Sequence, residues 1–276
     1  MAPFFSIIIP TLNEEKYISK LLNCLISQKV SNFEVLLIDG NSQDKTKEIT
    51  LSYKNKIPIT FHVLSKGNLS LQKNKGAYLA LGEYLIFLDA DMLINNSFTQ
   101  IAEREINRRK GFVFIPYVYP IEKREYPEVS SAMSIINQLI GVSLEINKPF
   151  SAGPSQIWER QVFYKIGGYD ELFGEDHQIM RKAHLWGLKI RQLAKLRVKF
   201  SLRRLRQEGR VKLFAHFIRS HIHLLFNDKT GKAFEYEMGG HVYSKKKILQ
   251  PNRIKINFHN ISKQINSAIR KFILED

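Results

Sequence analysis

Tyr84-Leu85-Ile86-Phe87-Leu88-Asp89-Ala90-Asp91 joins a run of apolar and aromatic residues to two carboxylates one residue apart. The run reads as a strand buried on both faces. With Asp89 to Asp91 still extended, the period of two puts both side chains on one side. In an open α/β sheet, ligands collect in the crevice beyond the carboxyl ends of the strands. Two hard oxygen ligands there suit Mg2+ or Mn2+, which would in turn hold a phosphate group. A strand that simply runs out into a polar turn gives the same three letters, so the surrounding chain decides.

Around this stretch, residues 1–116 alternate strand and helix signals, the pattern of a mostly parallel βαβ sheet. Strands are expected at 5–9 (closed by Pro10), 33–38 (ending on Asp39), 59–64 and 112–115. Helices are expected at 14–28 with Asn13 as N-cap, at 45–53 capped by Asp44, at 71–81 stopped by Gly82, and at about 98–109. Three successive strands end in polar residues: Thr11 and Asn13, then Asp39, then Asp89 and Asp91. Neither Gly-x-Gly-x-x-Gly nor Gly-x-x-x-x-Gly-Lys occurs, which argues against a dinucleotide dehydrogenase and a P-loop nucleotidase. A metal would have to replace glycine amides in neutralising a diphosphate.

Residues 117–176 are less regular, with Pro116, Pro120 and Pro127 as breaks, a helix expected at 129–140 and a strand at 155–158. A short helix at 160–166 stops at Gly167-Gly168. Four acids, Asp170, Glu171, Glu175 and Asp176, lead into a helix running to about Trp186. Short β signals follow at 189–193 and 198–200, then helices at 211–226 and 254–272, the latter amphipathic and carrying Lys255, Lys263, Arg270 and Lys271. Of the formal net charge of +16, the last third carries nearly all: residues 181–276 hold 23 Lys/Arg against six Asp/Glu. That asymmetry points to an anionic partner, whether nucleic acid, lipid surface or phosphorylated substrate. The basic C-terminal helix suits an anionic membrane, a homodimer contact or its own domain, and the sequence leaves the three open. The single cysteine, Cys24, excludes a disulfide framework and a cysteine zinc site. Without a basic leader or an apolar run of about 18 residues, the expectation is a cytoplasmic protein, peripheral at most on the inner face of the membrane.

Taken in order, several motifs carry a resemblance. They are Ser6-Ile7-Ile8-Ile9-Pro10-Thr11-Leu12-Asn13-Glu14, Asp39-Gly40-Asn41-Ser42-Gln43-Asp44-Lys45-Thr46, Lys73-Asn74-Lys75-Gly76 before Ala80-Leu81-Gly82-Glu83-Tyr84, Asp89-Ala90-Asp91, and Gly167-Gly168-Tyr169-Asp170-Glu171 with Glu175-Asp176. Over about the first 205 residues the chain resembles a family 2 glycosyltransferase of the GT-A fold. The resemblance implies a catalytic domain at 1–205, with a nucleotide-sugar-binding half at 1–116 and an acceptor-side half at 117–205. A basic helical region, 206–276, would follow. It also implies inverting transfer of a sugar from a nucleotide diphosphate sugar, UDP or GDP, to a hydroxyl of a glycan, glycolipid or polyprenyl-phosphate acceptor.

Residue by residue, Pro10, Thr11, Asn13 and Glu14 would contact the nucleoside and Asp39 its base. Asp91, with Asp89 near the ribose or metal, would hold Mg2+ or Mn2+. Lys73 and Asn74 would bind the donor, Lys73 as a point charge where arginine is commoner. Asp176 would be the general base, with Glu175 second, and Arg203 and Arg204 would grip a phosphate. Trp158 would either stack on the acceptor sugar or pack in the core, and His177 would cap or face solvent. The Gln-x-x-Arg-Trp of processive synthases is missing; Ser201-Leu202-Arg203-Arg204 and Gly209 resemble a non-processive pattern. Two other readings stand beside this one. A nucleotidyltransferase wants a glycine-rich basic loop where Pro10-Thr11-Leu12-Asn13-Glu14 stands. A nucleic-acid-binding module in 181–276 wants interleaved aromatics for base stacking, whereas Phe214, Phe217 and Phe226 fall within apolar helical patterns.

Overall fold

The computed structural model describes residues 2–203, except 123, 147, 148, 150, 152–154 and 172–174. Arg204, the helices expected at 211–226 and 254–272, and the basic region 206–276 lie outside the described residues. The first half runs β1 (Phe5–Thr11), α1 (Ile18–Ile26), β2 (Phe33–Asp39), α2 (Thr46–Leu51), β3 (Ile59–Val63), α3 (Leu69–Leu79) and β4 (Tyr84–Leu88). The second runs β5 (Leu93–Ile94), α4 (Phe98–Arg109), β6 (Val113–Pro120), α5 (Pro127–Glu145), β7 (Ser155–Glu159), α6 (Arg160–Lys165), α7 (Glu175–Leu185) and β8 (Ile190–Phe200).

Among the described residues, eight strands form one sheet in the order β3-β2-β1-β4-β7-β6-β8-β5. β3, β2, β1 and β4 are mutually parallel, as the βαβ pattern requires. β7 is antiparallel to both β4 and β6, and β5 to β8, so the second half is mixed. The apolar runs are covered on both faces: Ile7, Ile8 and Ile9 of β1 and Leu85 and Ile86 of β4 are all fully buried. Ile18, Leu21, Leu22 and Leu25 of α1 are buried at spacings of three and four, which places one helix face in the core. α3 lies directly on β1: a Cβ at Gly76 would sit 2.4 Å from Ile8 Cγ2, so only glycine permits the approach.

Prolines account for most of the displaced strand boundaries. β1 runs through Pro10 to Thr11, and β6 through Pro116 to Pro120, where interruptions were expected. β4 pairs with β1 only as far as Ile8, so at Pro10 the strand has one neighbour. β7 pairs with β6 only at Val113 and Phe114, and the β6–β8 register shifts between Pro116 and Tyr117. Proline is tolerated at such local edges and bulges. The two short β signals after residue 188 are one strand, β8. Asn13 does not cap α1, which starts later at Ile18; it takes a left-handed turn with φ +55°. α3 ends at Leu79, before Gly82, with Ala80 already extended. Asp89 and Asp91 are not an extension of β4: the Met92 amide donates to the Asp89 carbonyl at 3.1 Å, closing a turn.

Candidate active site

The carboxyl ends of β1 and β2 are stitched together by their own polar residues. Thr11 Oγ1 donates to Asp39 Oδ1 at 2.8 Å, and Ser42 donates to the same carboxylate through its amide (2.7 Å) and hydroxyl (2.6 Å). The Asn13 amide donates to Ser42 Oγ at 2.8 Å, and Asn13 Oδ1 accepts from the Gln43 amide at 2.8 Å. Asp39 is therefore 2% exposed and fixes the loop geometry of this edge. From below, Gln72 of α3 donates to the carbonyls of Thr11 (2.8 Å) and Ile38 (2.7 Å). These bonds satisfy backbone groups where both ladders end.

Beside them stands a charge cluster that crosses the fold. Arg203, after β8, donates both terminal nitrogens to Glu14, at 2.5 and 2.6 Å, in a bidentate fork. Its Nε lies 2.9 Å from Asp91 Oδ2, and the guanidinium sits 4.5 Å from the Tyr17 ring centroid. Burial works against the Arg203 charge, but Glu14 and Asp91 outweigh it and hold the guanidinium protonated above its usual range. Glu14, expected at the nucleoside, instead spends its buried carboxylate on Arg203. A cavity of about 240 Å³ opens here, lined by Tyr17, Lys20, Asp91, Glu122, Ser201 and Arg203 among others.

No group of three or more His, Cys, Asp and Glu able to hold a metal occurs among the described residues. The donor set nonetheless fits Mg2+ or Mn2+ of the kind bound by one or two carboxylates, with substrate phosphates and water completing the sphere. Asp91 and Asp89 would supply hard oxygens, and Asp91 already stands 2.9 Å from a cation, Arg203.

Helix α3 carries the other half of the site. Lys73, buried to 3% exposure, donates to Asp176 Oδ1 at 2.8 Å and Glu175 Oε1 at 3.1 Å, with its ammonium 4.7 Å from the Tyr169 ring centroid. Lys73 and the two acids expected at the base thus form one ion cluster. Asn74 clamps the Tyr169 backbone through both its amide atoms, at 2.8 and 2.9 Å, and Ser70 donates to the Asp170 carbonyl at 2.8 Å. The preceding Gly168 has φ +63°, and a Cβ there would meet Asn74 Oδ1 at 2.7 Å. The Gly167–Glu171 segment is therefore held against α3, and Lys73 and Asn74, expected on the donor, are its holders.

Burial pushes the Asp176 carboxyl up to about 7; Lys73 pulls it down, while Glu175 and Asp89 add to the rise. Burial pulls the Lys73 ammonium down, but Asp176, Tyr169 and Glu175 overcome that and raise it well above its usual value. The influence of Asp89 on both groups places the end of β4 beside this cluster. An ionised carboxylate with a pKa near neutrality is matched to taking a proton from a hydroxyl.

Trp158 is a core residue and presents nothing to an acceptor. It is fully buried in β7, packs edge-on to Phe163 at 5.7 Å and donates its indole N–H to Gln156 Oε1 at 2.9 Å. His177, expected as a cap or at the surface, is buried on α7 at 8% exposure.

This doubly flanked mixed sheet, with acidic residues at its carboxyl edge, is the GT-A architecture. Residues 6–167 match the family described as "Glycosyl transferase family 2", and the chain belongs to it. It is similar to the poly(ribitol-phosphate) beta-N-acetylglucosaminyltransferase TarS of Staphylococcus aureus, 31% identical over 153 residues, covering 52% of this chain and 27% of that protein. A Methanococcus voltae glucuronosyltransferase acting on dolichyl N-acetyl-alpha-D-glucosaminyl phosphate is 30% identical over 198 residues, 64% of this chain and 56% of that one. The chain therefore spans about a quarter of the first relative's length and just over half of the second's. The TarS 1–349 structure in complex with UDP-GlcNAc superposes with TM-score 0.59 at 25% identity, over 71% of this chain and 58% of that one. A Pyrobaculum calidifontis mannosyltransferase with GDP-Man and Mn2+ shares the fold at TM-score 0.57 and 19% identity, over 79% of this chain and 65% of that one.

Proposed function

We propose that the protein is an inverting glycosyltransferase that moves a sugar from a nucleotide diphosphate sugar, UDP or GDP, to a hydroxyl acceptor. The observation that carries this is the placement of Asp176. Its carboxyl, pushed to about 7, stands against Lys73 and near Asp89 at the strand edge of a family 2 sheet. Asp176, ionised, would take the proton from the acceptor hydroxyl as that oxygen attacks the anomeric carbon from the face opposite the leaving diphosphate. Lys73 holds that carboxylate in position and Glu175 shares the lysine, so only one acid of the pair needs to face the acceptor. A divalent metal held by Asp91 and Asp89 would supply positive charge against the departing diphosphate. Arg203, anchored by Glu14, brings a second fixed cation to the same edge. The similarity to TarS, solved with UDP-GlcNAc, favours UDP sugars as the first donors to try.

The acceptor we place on a lipid-linked glycan or polyprenyl phosphate, met through the basic chain beyond residue 203 at an anionic membrane surface. Deleting residues 252–276 and finding liposome flotation unchanged would remove that part. The donor half is tested by a thermal-shift screen of UDP and GDP sugars with Mn2+ or EDTA, followed by mass detection of released nucleotide. A metal-dependent upshift, lost in Asp91→Ala, is expected. No shift and no released nucleotide with any donor would overturn the proposal.

A further inference from the structure

Gln156 of β7 is completely buried, belongs to none of the sequence motifs, and sits at the centre of a hydrogen-bond network that reaches two of their residues, Tyr169 and Asp176. Its Oε1 accepts from the Trp158 indole at 2.9 Å and from the Tyr169 hydroxyl at 3.2 Å. Its Nε2 donates to the Asp176 backbone carbonyl at 3.2 Å and reaches the Asp176 carboxylate Oδ1 at 3.4 Å. An amide can be turned end for end, but an indole N–H only donates. The Trp158 contact therefore forces Oε1 toward the core and the NH2 group toward Asp176.

We infer that Gln156 is a positioning residue for Asp176, its amide locked by Trp158 and Tyr169 so that both N–H groups face the backbone and carboxylate of that one residue. The assignment rests on the reading of Asp176 as the general base. It gives the buried Gln156 amide a purpose: a half-satisfied network in a core is worse than none, and here both ends of that amide have partners. It also explains why an indole is needed at Trp158, since a phenyl ring would fill the core but leave the amide free to turn. Asp176 is faced by Lys73 from α3, Glu175 from its own helix, Asp89 from the end of β4, Tyr169 and Gln156. Of these groups, Gln156 is neutral and holds both the main chain and the side chain of Asp176.

The test follows the Asp176 carboxyl by 13C NMR in full-length protein labelled at aspartate, with Asp176→Asn assigning the signal. Gln156→Met keeps the volume and removes the donors; its Asp176 midpoint is expected to rise by about half a unit or more, since the charged form loses its hydrogen bond. Trp158→Phe is expected to move it in the same direction by less, and decides the matter if Gln156→Met fails to fold. Midpoints within about 0.2 unit of wild type in both variants would overturn the assignment. With an active donor from the UDP and GDP panel, Gln156→Met should lower kcat about tenfold or more while affinity for that donor's nucleotide stays unchanged, the mark of a displaced base. Weakened nucleotide binding with unchanged kcat would count against the assignment. Full transfer by Asp176→Asn would remove the base reading and leave the titration standing. An unmoved midpoint would remove Gln156 and leave Asp176 in place.

Discussion

Replacing Lys73 with methionine strips the ammonium from two carboxylates while keeping the length and apolar stem of the side chain. The nitrogen lies 2.8 Å from Asp176 and 3.1 Å from Glu175. At an effective dielectric of about 20 those contacts are worth about 6 and about 5 kcal/mol of Coulomb attraction. Returning a buried ammonium to water offsets several kcal/mol of that, and removing one partner of a buried pair costs roughly 3–5 kcal/mol net. Asp176 limits the loss, because it can take a proton instead of remaining an unpaired anion. With Lys73 present its carboxyl already titrates at about 7, raised from 3.8; without Lys73 it titrates higher still. A carboxyl whose folded pKa exceeds its unfolded value favours the native state below the unfolded pKa, and that contribution is lost as pH rises through the folded one. The deficit of Lys73→Met should thus be small, about 1 kcal/mol, at pH 5 and about 3 kcal/mol or more at pH 9. Urea denaturation at pH 5, 7 and 9 reads it directly. A loss of equal size at pH 5 and pH 9, or one below about 1 kcal/mol throughout, would refute the reasoning.

Asp176→Asn should reduce sugar transfer by about 10²–10⁴-fold with nucleotide binding retained, and the wild-type rate should rise with pH through about 7 as the base ionises. A single-turnover assay across pH checks both. Arg203→Ala leaves the buried Glu14 carboxylate unpaired and should cost about 3 kcal/mol by chemical denaturation, whereas adding Glu14→Gln to it should restore part of the loss. Gly168→Ala forces a Cβ onto Asn74 at a left-handed backbone position and should lower stability by about 1–3 kcal/mol, read as a fall in Tm.

The sheet was legible because apolar runs such as Ile7–Ile9 and Leu85–Leu88 pattern themselves as doubly buried strands, and chain order then gives the parallel half. Strands through Pro10 and Pro116 were not, because whether a proline is tolerated depends on which neighbours pair beside it. β5, two residues long, is set by its pairing with β8 and leaves no periodic trace. The motif residues named from the sequence do gather at one edge, yet their partners could not be read. Lys73 bonds to acids 102 and 103 residues away, and Arg203 to an acid 189 residues away. Local patterns carry no information at such separations. Gln72 and Lys73 are buried polar residues on α3, invisible to any reading that equates burial with apolarity. Gln156 gives no signal for the same reason: in sequence it is one more polar position in a short strand.

Helix α3 touches the loop ends of β1 and β2 through Gln72, the segment before α7 through Ser70 and Asn74, and the first turn of α7 through Lys73. Inserting or deleting a single residue in it would turn every later side chain by about 100°. A one-residue indel near Ser70 would therefore dismantle both edges of the cleft in one step, although no substitution had touched either. Exposed loops tolerate changes in length, whereas a change in the length of this helix breaks contacts at both places it holds.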